Sequence, residues 1–322
     1  MQPIIDAHHH IWRQQDLPWL SGPMLPRIFG PYEPLRRDYP IGEYLADIAD
    51  AGVVRSVYVQ ANWAPAEAEA EVAWVQRTAD ETGWPHAIVG YADLLADDVR
   101  PALDRLTRYP LLRGIRMQLH WHENAEYRFA KAPDLADDPR LRRNFAALSD
   151  YGLSFDLQVF APQMAGAARL AADFPGTAFI LQHAGMLEDL SDAGRMAWRD
   201  GMTRLAAQPN VFTKLSGLGT FIHCNDPGHI ASIVRDTVGL FGAGRCLFGS
   251  NFPIEKLWTS YDALVQAYRD AGAPLSEKEQ RAILHDTAMR VYRIAAKDAS
   301  DSIRGGRDAA GDQDPRLRGH RA

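Results

Sequence analysis

The sequence predicts a (β/α)8 barrel, and three observations carry that expectation. Eight short segments rich in β-branched or apolar residues recur along the 322-residue chain. Segments with helical spacing lie between them. The first segment is not followed by the glycine-rich phosphate turn of a doubly wound open sheet, the competing arrangement. The eight candidate strands are IIDAHHHIW (4–12), RSVYVQAN (55–62), HAIVGYADL (86–94), LRGIRMQL (112–119), LSFDLQVF (153–160), TAFILQHAG (177–185), NVFTKLSGL (210–218) and CLFGSNFP (246–253).

The helical segments justify themselves by their ends. IGEYLADIADAG (41–52) follows the first strand at a distance. PAEAEAEVAWVQRTADETG (65–83) is rich in Ala and Glu and stops at a glycine. PRLRRNFAALSDYG (139–152) starts at a proline and ends at a glycine, the asymmetry a helix prefers. QMAGAARLAADFPG (163–176) and GHIASIVRDTVGLFG (228–242) follow the same pattern. SEKEQRAILHDTAMRVYRI (276–294) opens with Ser276 and Glu279 at capping-box spacing, and places His285 at a packing position.

Two segments stand outside the repeat. Residues 13–39 carry five prolines and form a long loop after strand 1. In a barrel that loop belongs to the C-terminal face, where it becomes either a lid and pocket wall or a structural cover. The tail after residue 296 has mixed charge and almost no aliphatic residues, a composition that predicts disorder over 297–322 beyond one domain spanning 1–296.

Composition narrows the function classes. At 46% hydrophobic and 24% charged the chain can bury a large core. A net charge of −6 argues against non-specific nucleic-acid binding, which needs a basic surface. It leaves room for an anionic small-molecule substrate, because local charge can oppose net charge. The two cysteines, Cys224 and Cys246, lack CxxC spacing and are too few for a disulfide framework. No apolar run approaches the roughly 20 residues a membrane span needs. No basic region followed by an apolar stretch opens the chain. A cytoplasmic enzyme of small molecules is the expectation, with its oligomeric state left open.

Polar residues cluster at the strand ends. By strand alternation His8 and His10 share a face with Asp6, whereas His9 points the other way with Ala7. Gln60 and Asn62 share a face on strand 2. Arg116, Gln118 and His120 share one on strand 4, Asp156 and Gln158 on strand 5, and Lys214 and Ser216 on strand 7, while His183 closes strand 6. Burying so many polar groups unpaired is costly, so a pocket at the C-terminal ends is expected. Trp12, Trp19, Trp63 and Trp121 fall near strand ends and suit either packing or stacking on a ring. His122, Glu123, His223 and Cys224 lie in loops, where solvated or hydrogen-bonded roles compete with a second metal site.

DAHHHIW at strand 1, QHAG at strand 6 and FGSNFP at strand 8 resemble the amidohydrolase superfamily. The resemblance is to its amidohydrolase-2 branch, which contains sugar-acid and dicarboxylate lactonases, and runs from residue 3 to about 296. It implies a (β/α)8 barrel that hydrolyses a C–O bond, in a lactone. It places His8 and His10 at the metal or carbonyl-polarising position and His183 where substrate is oriented or metal bound. It gives Arg116 contact with an anionic or hydroxylated substrate and an assisting role to Lys214; by their strand-end positions Trp12, Asn62 and His120 are further candidate substrate contacts. Metal use varies in this branch. Strand 5 has no histidine and strand 4 no inner lysine, so the residues support no ion or a single divalent one, zinc first, held by His8, His10 and His183.

One residue departs from the family's pattern. Where the family ends strand 8 with an aspartate that activates water, this chain has Asn251. A carboxamide cannot take a proton at neutral pH, although it can orient water or bind a hydroxyl. Three readings follow. Another group is the base, with His183, Glu255 and Asp156 as candidates; or the reaction needs no activated water, as in decarboxylation or isomerisation; or the protein binds a ligand without turning it over.

Overall fold

Each apolar segment forms a parallel strand in the computed structural model, which describes residues 2–295. The strands are β1 (Ile4–His9), β2 (Val53–Val59), β3 (Ala87–Gly90), β4 (Leu112–Ile115), β5 (Ser154–Leu157), β6 (Phe179–Leu181), β7 (Val211–Leu215) and β8 (Cys246–Phe248), hydrogen-bonded in that order. The first and last meet just beyond β8. His10 N donates to the Phe252 carbonyl at 2.8 Å and Asn251 N to the His8 carbonyl at 2.7 Å, which closes the barrel at its rim. The predicted tail, 297–322, lies outside the described residues.

One principal helix follows each strand: α1 (Ile41–Asp47), α2 (Ala68–Thr82), α3 (Arg100–Leu106), α4 (Pro139–Asp150), α5 (Met164–Asp173), α6 (Asp192–Ala206), α7 (Pro227–Phe241) and α8 (Tyr261–Gly272). The sequence signals act where expected. Gly83 ends α2 with φ 77°, a conformation that strains any residue with a Cβ. Ser276 and Glu279 cap each other reciprocally at the start of the final helical segment. His285 sits in the π-helical turn of that segment, with Nδ1 2.8 Å from Asp286 Oδ1.

Strand alternation divides the core into two layers. Ile5, Ala7, Val57, Val59, Ala87, Val89, Ile180 and Leu247 pack together inside the barrel, joined by Tyr292 from the end of the final helical segment. Tyr58, Ile88, Phe179 and Phe248 point outward and pack with the helices. At roughly 25 cal/mol for each Å² of apolar area buried, these layers supply the main driving force for closure.

The strands are shorter than the sequence suggests, and all stop early at the same end. β6 has 3 residues where 177–185 was expected. The residues cut off include the polar ones: His10, Asn62, Arg116, His120, Gln158, His183, Ser216 and Asn251 all lie past the last strand residue. There the ladder ends and the chain turns outward. Asn62, His183 and Asn251 take left-handed φ values of 65°, 54° and 57°.

One detail of β1 corrects the alternation. Its pairing with β2 shifts register between Asp6 and His9. Ile5 and Ala7 face inward and His8 follows them, so Asp6 is left on the helix side. There Asp6 accepts from Tyr44 and Tyr261, both at 3.0 Å, and from Ser250 Oγ at 2.6 Å. His9 stacks on Tyr44 at 3.9 Å. Asp6 therefore tethers β1 to α1, α8 and the β8 loop, and does not join His8 and His10.

Candidate functional site

A cavity of about 900 Å³, counting its open mouth, sits over the C-terminal strand ends. Three imidazoles gather at its base. The His8 ring lies 5.0 Å from His10 and 4.8 Å from His183, centre to centre. His10 and His183 line the cavity, and His8 is fully buried against them.

Two of the three imidazoles are held by a specific neighbour, whereas both ring nitrogens of His8 are buried without a hydrogen-bond partner. His10 Nδ1 lies 2.7 Å from the Val59 carbonyl, which can only accept, so Nδ1 carries the proton and Nε2 keeps a lone pair. His183 Nδ1 is 2.9 Å from Ser216 Oγ, which leaves Nε2 for the cavity. The left-handed run through His183 and Ala184 is pinned by Trp198 Nε1, which donates to the Ala184 carbonyl at 2.8 Å. A side chain at Gly217 would come within 2.6 Å of His183 Nδ1, and one at Gly249 within 2.7 Å of His8 Cβ. Glycine at these two positions lets the imidazoles approach the backbone.

These histidines are neutral at physiological pH. Burial, then Arg116 and Lys214, push His183 down to about 3. Burial, then Lys214, holds His8 well below 6.5, and burial, then Arg116, does the same to His10. Arg116 is lowered by burial only to about 10, so its guanidinium stays charged. It lines the cavity, donates through Nη2 to the Gln60 carbonyl, and has no partner for Nε.

Lys214 is placed differently from the other expected contacts. It does not line the cavity; its ammonium is fully buried 2.6 Å from Asp156 Oδ2. Tyr292 OH and Gln182 Nε2 also donate to Asp156, at 3.1 Å each. Lys214 thus acts on the imidazoles through its field, and Asp156 is fully engaged below them. Trp12, Asn62, His120 and Asn251 line the cavity, as does Trp19, whereas Trp63 and Trp121 do not. The loop 13–39 is a pocket wall: Arg27, Ile28 and Phe29 face the cavity, and a two-way backbone pairing of Trp12 with Tyr39 at 2.9 Å closes its base. Arg27 was not singled out in the sequence, because nothing in a proline-rich loop signals which way a side chain turns.

Asn251 has a carboxylate behind it. Glu255 is buried and accepts from Trp258 Nε1 at 2.8 Å, from Thr220 Oγ1 at 3.5 Å and from the Asn251 side chain. Burial raises Glu255 to about 7. With the Asn251 amide donating backward, its Oδ1 is left as an acceptor for the cavity.

The loop groups form no second cluster. His122 Nε2 lies 3.9 Å from Glu188, and His223 packs near Trp258 and Gly30. Three neutral imidazoles are a donor set that zinc accepts, but the charge around these three opposes a divalent ion. β8 brings an amide where a negative ligand would offset the metal's charge, and Arg116 and Lys214 add positive charge beside them. Among the described residues no group of three or more His, Cys, Asp or Glu is arranged to hold a metal. The residues present do not fit one.

Comparison with known proteins adds four findings. An amidohydrolase family model matches residues 5–294. The uncharacterised protein y4mH of Sinorhizobium fredii is 37% identical over 293 residues, 90% of this chain and 98% of that protein. L-fucono-1,5-lactonase of Burkholderia ambifaria is 30% identical over 260 residues, 79% of this chain and 81% of that enzyme. Among solved structures, a zinc-bound amidohydrolase of Burkholderia multivorans superposes with a TM-score of 0.76 at 28% identity, covering 91% of this chain and all of that one.

Proposed function

Because the chain belongs to the amidohydrolase family, we propose that it opens a lactone of a sugar acid or related compound by adding water across the ring C–O bond. The observation that carries this reading is the meeting of neutral imidazoles with the charged Arg116 guanidinium in a single cavity. The lactonase relatives at about 30% identity support it.

The residues divide the work as follows. Arg116 donates to the lactone carbonyl oxygen and stabilises the negative charge that develops there, aided by the field of Lys214. Asn251 Oδ1 and His10 Nε2 accept hydrogen bonds from the attacking water or from substrate hydroxyls. His183 Nε2 takes the water's proton as the oxygen bonds to the carbonyl carbon. The same imidazolium then gives that proton to the ring oxygen as the C–O bond breaks. A lactone suits a weak base, since its leaving alkoxide departs more readily than an amine. Asp156 is not the base, because its oxygens are taken by Lys214, Gln182 and Tyr292. No step passes through a metal.

The test is acid release from a lactone panel in weak buffer with a pH indicator, run with and without prolonged chelation. Turnover that survives chelation is expected, and a His183→Asn variant should lose about 10²-fold or more in kcat. Failure to open any lactone, with release of carbon dioxide from aromatic carboxylates instead, would sink this reading in favour of decarboxylation.

A further inference from the structure

Three buried nitrogens on the cavity wall have no hydrogen-bond partner: Arg27 Nε, Arg116 Nε and His120 Nδ1. All three side chains line the same cavity, yet they come from the β1 loop, the end of β4 and the stretch beyond it. After burial itself, Arg116 and Arg27 are what hold His120 down at about 3, so the three groups share one field.

Arg116 is committed to the carbonyl oxygen; Arg27 is not committed to anything. Its guanidinium lies over the Trp19 ring, 5.5 Å from the centroid, and Trp19 is itself fixed by Nε1 donating to the Ala61 carbonyl at 2.9 Å. Among the described residues no carboxylate pairs with it. The neighbouring cation, Arg128, spends its guanidinium on the carbonyls of His122 and Glu123 at 2.8 and 2.6 Å. The acid of the wall, Glu126, is exposed at the rim and forms no ion pair with Arg27. An unpaired buried donor of a charged group costs stability that an anionic ligand restores.

Exposure sets the order along the cavity. Arg116 is 3% exposed at the strand end and His120 4%, whereas Arg27 is half-buried on the loop. We propose that Arg27, with His120 beside it, clamps a free carboxylate that the substrate carries besides its lactone, on the mouth side of the carbonyl held by Arg116. The substrate is then the monolactone of a hydroxylated dicarboxylic acid, and the product a dianion. This rests on the lactonase reading above.

The test compares the monolactone of a six-carbon aldarate with the neutral aldonolactone of the same length, in wild type, Arg27→Lys and Arg27→Met. Wild type should favour the carboxylated lactone by about tenfold or more in kcat/KM, a preference that R27M abolishes and R27K partly keeps. Calorimetry with the open-chain aldarate reads the clamp without catalysis. Wild type should bind it about tenfold tighter than R27M, with the difference shrinking in high salt. Equal kcat/KM for the two lactones in wild type, or a preference that persists in R27M, overturns the clamp and leaves the lactonase reading intact. Aldarate binding that depends on Arg27, in a protein that opens no lactone, sinks the lactonase reading and leaves the clamp standing.

Discussion

Asn251 concentrates the chemical question in one functional group, and Glu255 answers part of it. The Glu255 carboxylate, raised by burial, is lowered in part by a hydrogen bond with the Asn251 side chain, and an amide that donates to it keeps Oδ1 as an acceptor, the role an aspartate would fill without its basicity. That orientation needs Glu255 ionised. Because burial raises it to about 7, it is protonated below that pH and charged above it. Turnover should therefore climb with pH through about 7. Glu255→Gln should abolish that limb and lower kcat while leaving the protein folded. Asn251→Asp should move the limb upward, because a second negative charge disfavours ionising Glu255. A pH–rate profile on each variant checks both, and an E255Q profile that keeps the limb near 7 removes Glu255 as the positioning residue. The sequence offers Glu255, four residues past Asn251, as a candidate base, and the structure sets it beside the Asn251 side chain. It could not show that the carboxylate would stop behind the amide, because a four-residue spacing past a strand end fixes neither depth nor direction. The same limit misplaced Asp6: alternation grouped it with His8, and a single register shift put it among the helices.

β5 and β7 show what periodicity encodes and what it omits. All eight strands were legible, since each needs a run of apolar residues to bury on two faces. Period two also put Lys214 and Asp156 on inner faces. It does not encode depth, so a lysine inside the barrel and one at its mouth read alike. The structure pairs these two at 2.6 Å with both side chains fully buried. Removing one partner leaves the other charge without compensation. Lys214→Met should therefore cost about 3–5 kcal/mol, and a Lys214→Met/Asp156→Leu double variant should recover much of it. Denaturant unfolding of wild type, both singles and the double checks this cycle. Additive costs would mean the pair contributes no coupling. The double variant should still lose turnover, because the field behind His8 and His183 is gone.

A barrel that gathers neutral imidazoles at its rim takes on an acid sensitivity of the whole molecule. Burial lowers His8, His9, His10, His120 and His183, with His9, His120 and His183 near 3. Their pKa is lower folded than unfolded, so as pH falls below about 6.5 the unfolded chain takes up protons that the folded one refuses. Each such group removes about 1.4 kcal/mol of stability per pH unit on the way down. Burial also raises Asp6, Glu71, Glu188 and Glu255, with Glu71 and Glu255 near 7, and these work the other way. Their folded forms keep protons the unfolded chain loses, so their contribution fades as pH rises from about 4.5 toward 7. The imidazoles outnumber them, and the net slope is toward acid destabilisation. Melting curves should show Tm falling between pH 6.5 and 5. Glu71 supplies the sharper check. It lies on α2, accepts from Tyr58 OH at 2.7 Å and from Ala61 N at 2.5 Å, and does not line the cavity. Glu71→Gln deletes one opposing group, so its Tm should fall more steeply with acid than wild type does. A shallower fall in E71Q would mean only that Glu71 does not hold its proton in the fold, whereas a Tm that stays flat from pH 6.5 to 5 would mean that the histidines are not held neutral. The proton transfers assigned to His183 would then lose their starting state.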